Sequence, residues 1–136
     1  MFKTYSLFLV LSIVALAGCK KDEISRTKDN LTRSWATSKV EIGGADSTAY
    51  WEHTHANYSI QFTKTGTFVE SFTDEYGDAA SMSGEWTLSS DAIQLTLTTA
   101  SKKPARVYNL ILVDDDNLNF SRVNSSPKET YYFKSN

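Results

Sequence analysis

The most constraining feature of this chain is a series of short clusters after residue 31 in which apolar and polar residues alternate. Tyr58, Ile60 and Phe62 alternate with polar neighbours, and Phe68 and Phe72 resume the alternation after a Lys-Thr-Gly triplet. A period of two residues places successive side chains on opposite faces of a β-strand, and a glycine-containing triplet between two such runs favours a hairpin. These residues therefore predict two antiparallel strands that share one apolar face.

The same pattern recurs often enough to predict eight strands and an all-β fold. Residues 84–88 and 93–97 predict a second hairpin, and residues 107–113 and 118–120 predict a third whose register stays open because its first strand is apolar on both faces. Residues 35–42 and 130–134 supply the first and last strands. Closure into an eight-stranded antiparallel up-and-down barrel would leave no exposed sheet edge. A two-sheet β-sandwich is the alternative.

The start of the chain predicts a lipid anchor. Lys3 precedes an apolar stretch over residues 7–16, which is too short for a membrane-spanning helix, and Leu-Ala-Gly then leads to Cys19. This arrangement resembles a bacterial lipoprotein signal. It implies a signal peptide over residues 1–18, a lipidated Cys19 followed by a polar tether to residue 30, and a folded domain over residues 31–136.

Lipidation at Cys19 would attach the protein to a membrane rather than span it. The charged residues after Cys19 resemble the export signals of surface lipoproteins in Bacteroidetes-type bacteria. We therefore expect a palmitate-type acyl anchor in the cell envelope, with the outer membrane as the expected location and the side of the membrane left open. Because Cys19 is the sole cysteine, the folded domain has no internal disulfide.

The apolar ladder resembles that of bacterial lipocalin-like lipoprotein domains. The residues that carry this resemblance, over about residues 31–134, are Trp35, Ile60-Gln-Phe62, Gly66-Thr-Phe68, Gly84-Glu-Trp86-Thr-Leu88, Tyr108-Asn-Leu110 and Leu118-Asn-Phe120. The sequence departs from the lipocalin pattern at Arg33, where a glycine usually stands two residues before the first tryptophan. The resemblance implies a meander barrel whose open end lies under a long first loop, here residues 43–56.

The hairpin register predicts one charged side chain inside the barrel. If the Lys-Thr-Gly triplet forms a three-residue turn, Phe62 faces Phe68 and Ile60 faces Glu70, so the carboxylate points inward and needs a partner. Arg122 and Arg106 are candidate partners, with Tyr108 as a hydrogen-bond donor. The alternatives are a bulge that turns Glu70 to solvent, or a place at the barrel mouth.

The predicted ligand site combines the lumen and the mouth of the barrel. We predict that the lumen is lined by Tyr58, Ile60, Phe62, Phe68, Phe72, Trp86, Leu88, Ile93, Leu95 and Leu97. Tyr50 and Trp51 of the long loop are predicted to cover the mouth. The predicted ligand-binding residues are Tyr50, Trp51, Tyr58, Phe62, Phe68, Glu70, Phe72, Trp86, Tyr108 and Arg122.

The sequence does not predict catalysis, a metal site or a cofactor. His53 and His55 are spaced for chelation, but two ligands do not make a site, and the Asp run over residues 114–116 lacks the spacing of a calcium loop and is typical of a hairpin turn. No nucleophile motif or phosphate-binding glycine loop occurs. The chain has 14 basic and 16 acidic side chains, so no basic excess indicates a nucleic-acid partner.

These observations predict a membrane-anchored envelope lipoprotein that binds a small, partly apolar ligand without catalysis. The alternative is a protein-interaction or accessory module, whose barrel core is filled by side chains and whose partners are other envelope proteins. Small eight-stranded barrels occur in both forms, so the sequence leaves the choice open.

Overall fold

Nine β-strands and two helices make up the computed structural model, which describes residues 21–101 and 104–136. Helix α1 covers residues 21–31, and helix α2 covers Thr48–Glu52. The strands are β1 Ser34–Ile42, β2 Ala45–Asp46, β3 Ala56–Phe62, β4 Thr67–Thr73, β5 Ala79–Leu88, β6 Gln94–Thr99, β7 Arg106–Val113, β8 Asn117–Arg122 and β9 Glu129–Ser135. The predicted signal peptide over residues 1–18 and the predicted lipidation site Cys19 lie outside the described residues.

The eight long strands form a closed antiparallel barrel, as the alternation predicted. Each strand pairs with its neighbour along the chain, apart from the two-residue strand β2, which folds back on the end of β1. The last strand returns to the first, with Thr37 of β1 opposite Phe133 of β9. Because β1 pairs with both β3 and β9, the sheet has no free edge among its long strands. The two-sheet sandwich is therefore wrong.

The predicted register of the first hairpin is confirmed. Phe62 pairs with Phe68 and Ile60 pairs with Glu70. The regular pairing ends near the mouth of the barrel, where a bulge lies between Ala56 and Ser59 and contains Asn57 at a φ of 54°. Because a bulge adds a residue to one strand and increases its twist, β3 bends at the point where the long loop enters it.

A second bulge resolves the register that the third hairpin left open. Leu110 pairs with Phe120 but Leu112 pairs with Asn119, so Ile111 is the extra residue in β7. Ile111 and Leu112 are both exposed at this bulge. A strand that is apolar on both faces thus keeps Tyr108 inside the barrel without burying all of its aliphatic residues.

The end of the barrel near the β3–β4 turn is filled by side chains. The buried apolar cluster extends from this end into the middle of the barrel and consists of Leu31, Trp35, Ile60, Phe62, Phe68, Trp86, Leu95, Leu97, Tyr108, Leu118, Phe120 and Phe133. Both buried indoles reach a backbone acceptor: Trp35 Nε1 donates to the carbonyl of Leu31 at 3.1 Å, and Trp86 Nε1 donates to that of Thr63 at 3.1 Å. Arg33 takes the place of the usual lipocalin glycine with its guanidinium carbon 5.5 Å from the Trp35 ring centroid. We call the end of the barrel near the β3–β4 turn the base.

Residues 21–30, which were predicted as part of a polar tether, form a helix. Ile24 and Thr27 are half-buried and Leu31 is fully buried, at the spacing of one face of a helix. The sequence does not reveal this stripe, because it is only one residue wide and includes the polar Thr27. Leu31 joins the barrel core beside Trp35, so the helix ends against the base of the barrel.

Ile93 was predicted to lie in the lumen, and this is wrong. Its side chain is 54% exposed, although Leu95 and Leu97 two and four residues later are buried. The preceding residue, Ala92, has a φ of 57°, and Ile93 lies before the start of β6. A left-handed residue in the turn breaks the alternation, so Ile93 does not share the inward face of the strand that follows.

Candidate functional site

A cavity of about 360 Å³ occupies the end of the barrel opposite the base. It lies where β1 and β8 end and where β3 and β9 begin, so the long loop after β1 passes beside its entrance. Its lining consists of Ile42, Tyr50, Trp51, Thr54, His55, Tyr58, Glu70, Met82, Leu97, Arg106, Tyr108, Phe120, Arg122, Glu129, Tyr131 and Phe133. The volume is near the lower end of the range of about 300–1,000 Å³ that small-molecule sites occupy.

Glu70 points into this cavity and is held by two side chains. Its side chain is 1% exposed, which confirms the predicted inward direction. Arg106 donates from Nη1 to Oε1 at 2.9 Å and from Nη2 to Oε2 at 2.7 Å, and the Tyr58 hydroxyl donates to Oε1. Such a two-pronged pair satisfies a buried carboxylate, which would otherwise be costly.

Arg122 and Arg106 were both candidate partners of Glu70, and Arg106 is the one that binds it. Arg106 begins β7 opposite Leu97, and its side chain crosses the lumen to reach β4. Burial acts to lower the pKa of Arg106, but the hydrogen bonds to Glu70 and the nearby tyrosines outweigh it, so the net pKa is raised. Arg106 therefore stays charged. Arg122 lies near Glu129 instead, with Nη1 3.7 Å from Oε2.

Three tyrosine hydroxyls line the cavity as protonated groups. Burial, followed by the negative charge of Glu70, raises the pKa of Tyr58 well above its ordinary value. Burial likewise raises the pKa of Tyr108 and, together with a hydrogen bond to Glu129, that of Tyr131. At neutral pH these hydroxyls can therefore donate hydrogen bonds.

The long loop places an aromatic cover at the entrance. The Trp51 ring on α2 stacks on His55 at 4.4 Å between centroids with an interplanar angle of 6°. It also meets Tyr58 and Tyr131 edge-on at 5.0 and 6.0 Å. Trp51 thus contacts rings from β3 and β9. Tyr50 beside it is 79% exposed.

The structure brings six of the ten predicted ligand-binding residues together. Tyr50, Trp51, Tyr58, Glu70, Tyr108 and Arg122 line the cavity. Phe62, Phe68 and Trp86 do not, because they are buried in the packed part of the barrel. Phe72 lies beside the entrance, where its ring centroid is 4.9 Å from that of His55.

Several residues that line the cavity were not predicted. Three of them are aromatic and lie on β8 and β9, whose register the sequence left open. Tyr131 and Phe133 alternate along β9, and Phe120 lies on β8, next to the register that was left open. Met82 pairs with Glu70, so its position follows once β5 is known to begin at residue 79. The alternation Tyr131–Phe133 was the signal that could have identified the β9 wall.

The two sequence clusters considered as metal sites have other contacts. His55 Nδ1 lies 2.7 Å from the Thr54 hydroxyl and 3.3 Å from the carbonyl of Trp51. Asp114 Oδ1 accepts from the backbone amides of Asp116 and Asn117, which lowers the pKa of Asp114 and forms the β7–β8 turn. Over residues 21–101 and 104–136, no group of three or more His, Cys, Asp or Glu side chains is placed to hold a metal ion.

Comparison with known proteins supports the fold and leaves the activity open. No family model matches the sequence, and no curated protein matches it. A lipocalin-like protein from Bacteroides uniformis has a similar structure, with a TM-score of 0.60 and 10% identity over 79% of this chain and 99% of that chain. An uncharacterized protein from Bacteroides eggerthii gives 0.53 and 13% over 77% and 98%.

Lobster apocrustacyanin A1 is also similar, with a TM-score of 0.56 and 8% identity over 78% of this chain and 61% of that chain. At such identities the likeness concerns the fold alone. The chain therefore has a lipocalin-like barrel, as the resemblance of its apolar ladder implied.

Proposed function

We propose that this protein binds a small, partly apolar ligand in the cavity at the open end of its barrel, without catalysing a reaction. The observation that carries the proposal is the composition of the cavity wall. Aromatic rings from α2, β3, β8 and β9 line the same cavity as the hydrogen-bonded Glu70–Arg106 pair. Mostly apolar walls with a few placed polar groups are typical of small-molecule sites.

The alternative is a protein-interaction module whose barrel core is filled by side chains. Only one end of the barrel is filled in this way. The base is packed with buried side chains, but the opposite end holds a cavity large enough for a small molecule. A core filled by side chains would gain nothing from the Glu70–Arg106 pair, because burying the pair carries a desolvation cost. We therefore favour ligand binding.

Fluorescence titration with N-phenyl-1-naphthylamine, a neutral apolar probe, tests ligand binding. The expected result is saturable uptake with one probe per protein. In Met82→Trp, a larger ring would occupy part of the cavity, because Met82 faces inward opposite Glu70; we expect at least about tenfold weaker binding, as the new indole displaces buried probe surface.

The matched control is Ser83→Trp, which adds the same ring at the next position on the exposed face of β5. This variant should bind the probe like the unmodified protein. Absence of saturable uptake by the unmodified protein, or equal loss in both variants, would contradict the cavity proposal.

We also propose that the barrel is held at the cell envelope, with the outer membrane as the favoured location, by acyl chains on Cys19. The proposal rests on the Leu-Ala-Gly-Cys sequence after a short apolar stretch. Within the described residues, the structure has no helix that is both long and apolar enough to cross a membrane.

Mass spectrometry of the protein purified from bacterial membranes tests the anchor. We expect a mass corresponding to cleavage before Cys19 plus acyl chains, and release into the soluble fraction for Cys19→Ser because the thiol that accepts the lipid is absent. Ser25→Ala, a change at an exposed position of α1, should leave the lipid in place. An unmodified Cys19 in membrane-derived protein would overturn the anchor without affecting the cavity proposal.

A further inference from the structure

The two arginines of the cavity differ in how far their hydrogen-bonding capacity is used. Arg106 donates to both oxygens of Glu70. The guanidinium of Arg122 makes no hydrogen bond within the described part of the chain, and Oε2 of its ion-pair partner Glu129 is 3.7 Å from Nη1. At that distance the pair attracts electrostatically but does not satisfy the N–H donors of Arg122.

Tyr108 places a second donor beside Arg122. The two residues are paired across β7 and β8, so their side chains project from the same face of the sheet, and both line the cavity. The Tyr108 oxygen accepts from Arg106 Nη1 at 3.4 Å, while its own O–H has no acceptor among the residues that the structure describes. The raised pKa of Tyr108 keeps that proton in place at neutral pH.

Each neighbouring carboxylate accepts a hydrogen bond from another side chain. Both oxygens of Glu70 accept hydrogen bonds from Arg106. Glu129 Oε2 accepts from the Tyr131 hydroxyl at 2.9 Å, and the Glu129 side chain is 28% exposed and so reaches solvent. The β7–β8 side of the cavity consequently offers Arg122 and Tyr108 as donors whose N–H and O–H groups have no hydrogen-bond acceptor in residues 21–101 and 104–136.

We propose that the ligand is a flat aromatic molecule with one anionic oxygen group, such as a carboxylate or sulfonate, which Arg122 and Tyr108 bind. Arginine presents its donors in a planar fork that matches such groups. The rings of Trp51, Phe120 and Tyr131 provide apolar walls for the aromatic part. This inference rests on the proposed ligand-binding function and specifies the chemistry of the ligand.

Two probes that share one skeleton test the inference. N-phenyl-1-naphthylamine is neutral, whereas 8-anilino-1-naphthalenesulfonate adds a single sulfonate to the same rings. We expect the sulfonate probe to bind about tenfold more tightly than the neutral probe, since a hydrogen bond to a charged group contributes roughly this factor. Arg122→Gln should weaken binding of the sulfonate probe about tenfold more than binding of the neutral probe, which removes the preference.

The control is Arg26→Gln, the same chemical change at an exposed position on α1, which should keep the preference for the sulfonate. Arg122→Gln should fold normally, because the side chain is 44% exposed and has one long ion pair; the melting temperature verifies this. Saturable uptake of the neutral probe with no sulfonate preference, or a preference that survives in Arg122→Gln, would overturn this inference and leave the proposed function intact. Failure of both probes to bind would overturn both.

Discussion

Glu70 is the residue whose environment most affects both stability and binding. A carboxylate that is 1% exposed loses nearly all of its hydration, and only its hydrogen bonds to Arg106 and Tyr58 offset that loss. Such a pair need not stabilise the fold more than apolar residues would, but removing one partner leaves the other charge buried and unpaired. Its position in the cavity wall gives the cavity a polar spot.

Glu70→Gln should therefore destabilise the protein. Gln is nearly the same size but neutral, so Arg106 would lose its counter-charge. Arg106 is 22% exposed, which reduces the usual cost of about 3–5 kcal/mol for breaking a buried pair to about 2–3 kcal/mol. Urea unfolding at neutral pH measures the change.

Glu85→Gln is the control for that measurement, because Glu85 is exposed on the outer face of β5. It should change the free energy of unfolding by less than about 0.5 kcal/mol. Combining Glu70→Gln with Arg106→Gln should cost less than the sum of the two single changes, because the double variant leaves no unpaired charge in the cavity. Equal losses for Glu70→Gln and Glu85→Gln would show that the ion pair contributes nothing.

At the residue scale, the inward direction of Glu70 could be predicted, but its partner could not. The direction follows from local sequence, because a three-residue turn and a period of two fix the register of β3 and β4. The partner depends on a side chain that crosses the lumen from β7, three strands away, and both Arg106 and Arg122 face inward on neighbouring strands. Only the closed barrel determines which one reaches Glu70.

At the scale of single elements, strands were predicted more accurately than the structures at their ends. All eight long strands were expected, because hydrophobic alternation is a strong signal over five or more residues. The bulges at Asn57 and Ile111, the left-handed Ala92 and the narrow apolar stripe of α1 involve one to three residues each. Such short features do not alter the periodicity enough to be read from the sequence.

The contact between β5 and β6 depends on Gly84, whose role the sequence pattern did not reveal. Gly84 faces the lumen between Met82 and Trp86, and a Cβ added there would lie 2.0 Å from the carbonyl oxygen of Thr98 on β6. Real side chains do not tolerate such a distance from backbone, so any larger residue would push β5 and β6 apart. The two strands can approach this closely only because residue 84 is a glycine. Their close approach contributes to the curvature of the barrel wall.

At the scale of the whole molecule, the barrel divides into a packed half and a hollow half. The base contains the fully buried Trp35, Phe62 and Phe68, and the burial of these large side chains stabilises the fold. The open half contains the cavity, its charged pair and its tyrosines. This division lets the cavity wall carry polar groups that a uniformly packed core of this size would exclude.

The hollow half should make the whole protein sensitive to alkaline pH. Tyr58, Tyr108 and Tyr131 have pKa values raised by burial, whereas in the unfolded chain a tyrosine loses its proton near pH 10. Above that pH the unfolded state releases protons that the folded state keeps, so deprotonation favours unfolding. The stability linked to these groups is fully present below about pH 10 and is lost as the pH rises toward their folded pKa values.

Urea unfolding between pH 8 and 11 measures this loss, which should approach about 1.4 kcal/mol per pH unit for each tyrosine that stays protonated in the folded state. Tyr58→Phe removes one titrating group. The slope of its free energy of unfolding against pH should therefore be smaller than that of the unmodified protein by about 1.4 kcal/mol per pH unit. At pH 8 the same variant should be less stable by about 1–3 kcal/mol, because Glu70 loses a hydrogen bond. Tyr76→Phe, at an 81% exposed position, should reproduce the unmodified curve. A Tyr58→Phe curve parallel to that of the unmodified protein would mean that the Tyr58 hydroxyl is hydrated, and the cavity would then be open to water down to Glu70.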